Sequence, residues 1–160
     1  MKRSFLILLC FSVLFHSCKK DDGHQPYLIN DPSQNTQFLL EVSGFENTQG
    51  NLAISISKTS TQFDSETQTY RDTVINIVSS NMNITIEGIT AGTHAVSVFH
   101  DENQNNILDV VSVLDIDVPQ EGFGFSNNPH IVFSKPDFND CNFVIENGQT
   151  LVIPITLVYL

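Results

Sequence analysis

The stretch ITIEGITAGTHAVSVFHDEN, Ile84 to Asn103, decides the fold. Ile84 and Ile86 alternate with polar neighbours, a glycine-bearing turn (TAGT, Thr90 to Thr93) follows, and Ala95 to Phe99 resumes the alternation. Side chains of a strand point to opposite faces in turn, so a period of two means one dry face and one wet face. Glycine supplies the backbone freedom that the reversal needs. The stretch therefore reads as strand, turn, strand. The same period recurs outward in both directions. Phe38, Leu40 and Val42 alternate with Leu39, Glu41 and Ser43, and Leu52, Ile54 and Ile56 with Ala53, Ser55 and Ser57. Val74 to Val78, Met82, and finally Leu151, Ile153, Ile155 and Leu157 continue it. Further turns fall at NTQGN (Asn47 to Asn51) and ENGQ (Glu146 to Gln149). No segment carries a helical period, and the polar run from Lys58 to Tyr70 reads as a long loop. About seven such strands predict an all-β, antiparallel Greek-key β-sandwich. Pro154, inside the last run, predicts an edge strand or a bulge, because proline cannot donate to a ladder.

Length and charge bound the rest. The chain of 160 residues is long enough for one domain with its own core. Seven Lys and Arg against 18 Asp and Glu leave a formal charge of −11. Nucleic acid and anionic surfaces need clustered cations, so such partners are excluded as the expected class. At the N-terminus, Lys2 and Arg3 precede an apolar run of 11 residues, Phe5 to Phe15. A bilayer span needs about 20 residues, so the run reads as a signal peptide over residues 1–17. Ser17 before Cys18 and the following KKDD resemble the processing site of lipoproteins of the Bacteroidetes type. Phe15 and His16 depart from the usual motif. Cys18 is then the lipidated residue, and the resemblance implies an outer-membrane or cell-surface location. Loss of Lys2 and Arg3 would take the formal charge from −11 to −13. Residues 18–36, polar with two prolines, read as a flexible tether, and 37–160 as the folded domain. Cys141 has no partner for a disulfide once Cys10 is removed and Cys18 acylated, and reads as a small buried hydrophobe.

Four motifs, LLEVSGFENTQGNLAISIS, ITIEGITAGTHAVSVFHDENQNNILD, QEGFGFSNNP and KPDFNDCNFVI, occur in this order. Together they resemble the secreted bacterial family named domain of unknown function 2141. The middle one is also similar to prealbumin-like and carboxypeptidase-regulatory-like sandwiches. The resemblance implies an exported β-sandwich and carries no activity with it. The chain departs from the family at Asn106, where glycine is usual, at Cys141, and over Val110 to Leu114.

The candidate site is the loop HDENQNNILD, His100 to Asp109. Calcium takes six to eight oxygens, and alternate residues of a tight loop can turn their side chains inward. Asp101, Asn103, Asn105, the carbonyl of Ile107 and Asp109 occupy loop positions 1, 3, 5, 7 and 9. Ser112 stands where an EF-hand has its bidentate glutamate. Glu102, Asp115, Asp117 or Glu121 could supply missing oxygens, and Asn106 tolerates the positive φ that the turn requires. The same residues would also make a hairpin loop held by Asx turns. Phe123 and Phe125, between glycines, are candidates for a protein or glycan ligand, or for core. His94, His100 and His130 have no metal-binding spacing. No nucleophile elbow, zinc-protease helix or phosphate loop is present. The expected function is a lipid-anchored, non-enzymatic binding or structural module with a weak structural calcium loop. An accessory subunit of an envelope complex is the alternative, and a hydrolase built on His100 and nearby carboxylates a further one.

Overall fold

The computed structural model describes residues 36–160, apart from 66, 115, 132 and 133. The expected signal peptide, Cys18 and the tether up to residue 35 lie outside the described residues, as does Asp115. Ten strands and two short helices follow one another among the described residues. They are β1 (Gln37–Ser43), β2 (Asn51–Ser57), α1 (Ser60–Phe63), β3 (Arg71–Asn76), β4 (Asn81–Glu87) and β5 (Gly92–Asp101), then β6 (Val110–Val113), β7 (Ile116–Pro119), β8 (Phe123–Phe125), α2 (Phe138–Cys141), β9 (Phe143–Ile145) and β10 (Thr150–Thr156). No helix among the described residues is long and apolar enough to cross a membrane.

One sheet runs β10-β1-β4, and a second runs β3-β2-β5-β8 with β9 also paired to β5. The chain crosses between them after β1, β3, β4 and β9, which is how a sandwich closes one core from both sides. Phe38, Leu40 and Val42 of β1 face Ile86, Ile84 and Met82 of β4 in register. Leu52, Ile54 and Ile56 of β2 stand opposite His100, Val98 and Val96 of β5. These inward faces form one buried cluster with Ile153 and Ile155. Each such fully buried side chain contributes roughly 1.5–3 kcal/mol.

The all-β sandwich expected from the alternation is present, with particulars that the alternation did not carry. The strands number ten because several are only three or four residues long. One pairing is parallel: β10 runs alongside β1, Gln37 opposite Thr150 through to Ser43 opposite Thr156. Periodicity sets the face of a strand and not the direction of its neighbour, so this pairing is invisible locally. β10 is an edge strand, as Pro154 requires. Thr36, assigned to the tether by its polarity, belongs to the domain. It is buried, its hydroxyl accepts from Gly148 N at 2.8 Å, and its carbonyl accepts from Ile89 N at 3.2 Å.

The expected loop from Lys58 to Tyr70 contains α1, capped by Thr59, whose hydroxyl accepts from Gln62 N at 3.2 Å. Its purpose is packing: Phe63 is buried in a second cluster with Ala95, Phe123, Phe125 and Cys141, with Phe99 and Phe138 against it. The Lys135 ammonium donates to the Phe63 carbonyl and lies 4.3 Å from the Phe63 ring centroid. The sheet containing β5 is thus covered on its outer face as well. Cys141 behaves as the small hydrophobe expected: it is fully buried, and burial pushes its thiol up to about 11.

Gly50 joins the β1–β2 turn to this sheet with φ +75, and a Cβ there would lie 2.1 Å from the Asp101 carbonyl oxygen. Gly88 has φ +68, but a Cβ there would meet nothing within 4 Å. A Gly88→Ala variant should therefore lose only the left-handed penalty, about 1 kcal/mol. Gly50→Ala adds a backbone overlap and should lose about 4 kcal/mol or more in chemical denaturation.

Candidate functional site

β5 runs ten residues and delivers Asp101, fully buried, to the mouth of the loop. Its two carboxylate oxygens accept from the backbone N–H groups of Asn105 and Asn106, each at 3.0 Å. Asn103 Oδ1 accepts from Asn105 N at 3.0 Å, and Asn105 Oδ1 from Ile107 N at 2.7 Å. These Asx turns leave both carboxamide nitrogens pointing at Asp109. Asn103 Nδ2 donates to it at 2.6 Å and Asn105 Nδ2 at 3.2 Å. Gln104 and Asn106 adopt φ 63 and φ 61, the left-handed conformation that asparagine at 106 was expected to take. Glu121 closes the loop from the far side. It accepts from Glu102 N at 3.0 Å and from Asp109 N at 3.2 Å, so one carboxylate clasps both ends of the turn.

The sequence spacing therefore brought together Asp101, Asn103, Asn105 and Asp109, and among the suggested extra carboxylates it is Glu121 that joins them. Ile107 contributes its N–H to the Asn105 turn, and its side chain is exposed. Asp117 is engaged elsewhere, accepting from the Ser112 hydroxyl. Burial raises the Glu121 carboxyl above the usual range, and the charges of Asp109 and Asp101 add to this. The two backbone N–H groups work against the shift. Among the described residues, no three His, Cys, Asp or Glu side chains converge closely enough to hold a metal on their own. Any cation here would draw on the asparagines. One further oxygen was not foreseen. Asn51 stands opposite Asp101 in the β2–β5 ladder, and its buried Oδ1 has no hydrogen-bond partner. Directly opposite residues share a face, with Cβ atoms about 5 Å apart. No local signal marks Asn51, because only the register places it there.

The histidines stay separate. His94 and His100 both point into the sandwich, six positions apart on β5 and so about 20 Å distant along the strand. His130 is exposed elsewhere. His100 is enclosed: Nε2 lies 2.6 Å from the Gln49 carbonyl and Nδ1 2.7 Å from the Tyr159 hydroxyl. A carbonyl only accepts, so Nε2 carries a proton. Tyr159 in turn accepts from Glu46 N at 3.3 Å. Burial pushes the Tyr159 phenol up, reinforced by Glu102, Glu46 and Glu121 and opposed by the Glu46 N–H. Glu102 Oε1 also lies 3.7 Å from His100 Nδ1, so the ring is held by a carbonyl, a phenol and a nearby carboxylate. Phe123 and Phe125 do not form a stacking surface either. Both are buried against Phe63, held there by pairing of β8 with β5.

The arrangement defines a class: a β-sandwich with a carboxylate–asparagine loop at the end of its central strand. Residues 40–152 match the family described as an uncharacterized protein conserved in bacteria (DUF2141), and the chain belongs to that family. No curated protein and no solved structure matches it.

His94 makes a test of this core. It is fully buried between Phe38, Tyr70 and Phe143, its Nδ1 bonded to the Gly92 carbonyl at 3.1 Å and its Nε2 unpaired. Burial holds the imidazole below its ordinary value; the Gly92 carbonyl opposes this and Lys58 adds to it. A histidine depressed in the folded state contributes stability that is complete above the unfolded value of about 6.5 and lost as pH falls from there through the folded value. Glu121, raised in the folded state, has the opposite sign. The melting midpoint of the parent should accordingly drop more between pH 7.5 and pH 5 than that of a His94→Leu variant, by scanning calorimetry.

Proposed function

We propose that the chain is a lipid-anchored, non-enzymatic module of the cell envelope, with Cys18 as the acylated residue. The loop from Asp101 to Asp109 would serve as a weak structural calcium site in it. The observation that supports the calcium reading is the orphaned Asn51 Oδ1, buried opposite Asp101. A buried acceptor without a donor costs about 1–3 kcal/mol, and a cation would remove that cost. The donor chemistry fits a hard cation. Asp101, Asp109, Glu121, Asn51, Asn103 and Asn105 are all oxygen donors, and a carboxylate has about four lone-pair sites, of which N–H groups use only some. When bound, calcium would supply positive charge beside the carboxylates of this loop. The loop residues hold the ends of β5 and β6 together by their own hydrogen bonds. Three neutral asparagines among the ligands make the site weak, on the order of 10⁻⁴ to 10⁻³ M. Enclosure of His100 supports a scaffold over the hydrolase alternative.

Calcium at about ten times its dissociation constant should stabilise the chain by about 1.4 kcal/mol, which is a rise of about 3–6 °C in melting midpoint over chelator. Asn51→Ala should remove most of that rise. An identical midpoint with calcium and chelator would refute the metal site. The anchor is tested separately by fractionation: Cys18→Ser should release the protein from membranes, and retention would refute acylation.

A further inference from the structure

After the acidic loop the chain leaves the sandwich as a two-stranded arm. β6 and β7 pair with each other and, among the described residues, with no other strand. Val110, Val111 and Val113 are each about half exposed, and Leu114 at the tip is 92% exposed. The register places Val111 opposite Val118 and Val113 opposite Ile116. Alternation then gives the arm two unlike faces, one carrying Val111, Val113 and Val118, the other Val110, Ser112, Asp117 and Pro119. The valine face has no cover from the sandwich core, since none of these residues joins either buried cluster.

The backbone edge is open too. Gln120 N donates to the Asp109 carbonyl at 2.8 Å. Hydrogen-bonded pairs alternate along an antiparallel ladder, so the N–H and C=O groups of Val110 and Ser112 point outward from β6. The β7 edge is poorer, because Pro119 has no N–H to offer. The tip adds a second, independent observation. Leu114 adopts φ 52, a conformation that two-residue hairpin turns normally assign to Asn, Asp or Gly. A bulky, exposed, strained leucine is not what folding alone would select at that position.

We propose that this arm is a docking edge for an extended segment of a partner protein, one that alternates apolar residues with Lys or Arg and adds as a strand to β6. Strand addition gives affinity through main-chain hydrogen bonds and specificity through alternate side chains. The charge decides the occupant. The sequence holds no Lys or Arg between Arg71 and Lys135, while Asp109, Asp117 and Glu121 fall on or beside the arm. A second copy would bring like charges edge to edge, and an anionic bilayer would meet the same acids around the tip. A basic strand meets them with opposite charge, and its apolar positions extend the valine face.

The test uses the full-length chain and two labelled peptides, one of alternating Lys and Val and one of alternating Glu and Val. The Lys–Val peptide should bind at least tenfold tighter by fluorescence anisotropy, and N-methylation of its alternate amides should abolish binding. A Val111→Asp/Val113→Asp double variant should bind at least fivefold more weakly despite its greater negative charge; attraction by net charge alone would strengthen it. Leu114→Asn should also weaken binding while leaving the melting midpoint equal or higher, which separates lost docking from lost folding. Equal binding by parent and arm variants would overturn the proposal. So would self-association, or binding to phosphatidylglycerol vesicles, that the same variants abolish in place of peptide binding.

Discussion

The structure depends on one strand being buried on both faces. β5 turns His94, Val96, Val98 and His100 into the sandwich and Ala95 and Phe99 toward the outer cluster under α1 and α2. A one-residue slip exchanges the two faces of a strand, and here it would place Asp101 and Ser97 among Phe38, Leu40 and Ile155. Register is consequently fixed twice, by β2 on one edge and by β8 and β9 elsewhere along the strand. Everything polar at the end of β5 inherits that precision. Asp101 starts the loop at a set height, Asn51 lies across from it, and Gly50 leaves room for its carbonyl.

Burial also fixes the polar groups of the interior. Two histidines lie in the core, with the half-buried Tyr159 packed against it. His100 is closed between Tyr159 and Gln49, and His94 between aromatic rings. These residues hold strands together. Asp101, Asp109 and Glu121, by contrast, lie at one loop and are held by backbone N–H groups and asparagine amides. Such partners soften the repulsion without cancelling the charge, so the loop and the arm beyond it form an acidic end on a protein with few cations.

Much of this was legible in the sequence, for a physical reason. Period-two alternation in β1, β4 and β10 reports which face is buried, and their burial follows it, whereas β2 and β5 bury residues of the second face as well. The loop spacing predicted that Asp101, Asn103, Asn105 and Asp109 converge, because sequence-local geometry governs a tight turn. What the sequence hid depends on long-range pairing. Parallel β10 beside β1, Asn51 opposite Asp101, and Tyr159 against His100 all join residues far apart in the chain. Phe63 and Phe138 sit singly in polar stretches, where nothing periodic announces a second core. The valine arm conceals itself differently: its apolar residues read like core, and only the absence of a covering layer shows that they are exposed.

Residue-resolved amide hydrogen exchange under native conditions tests the central role of β5 most directly. Val96, Val98 and Phe99 should exchange only through global unfolding, tracking denaturant midpoints, while amides of β6 and β7 exchange by local opening. Exchange of the β5 amides that is fast and insensitive to global stability would contradict that role.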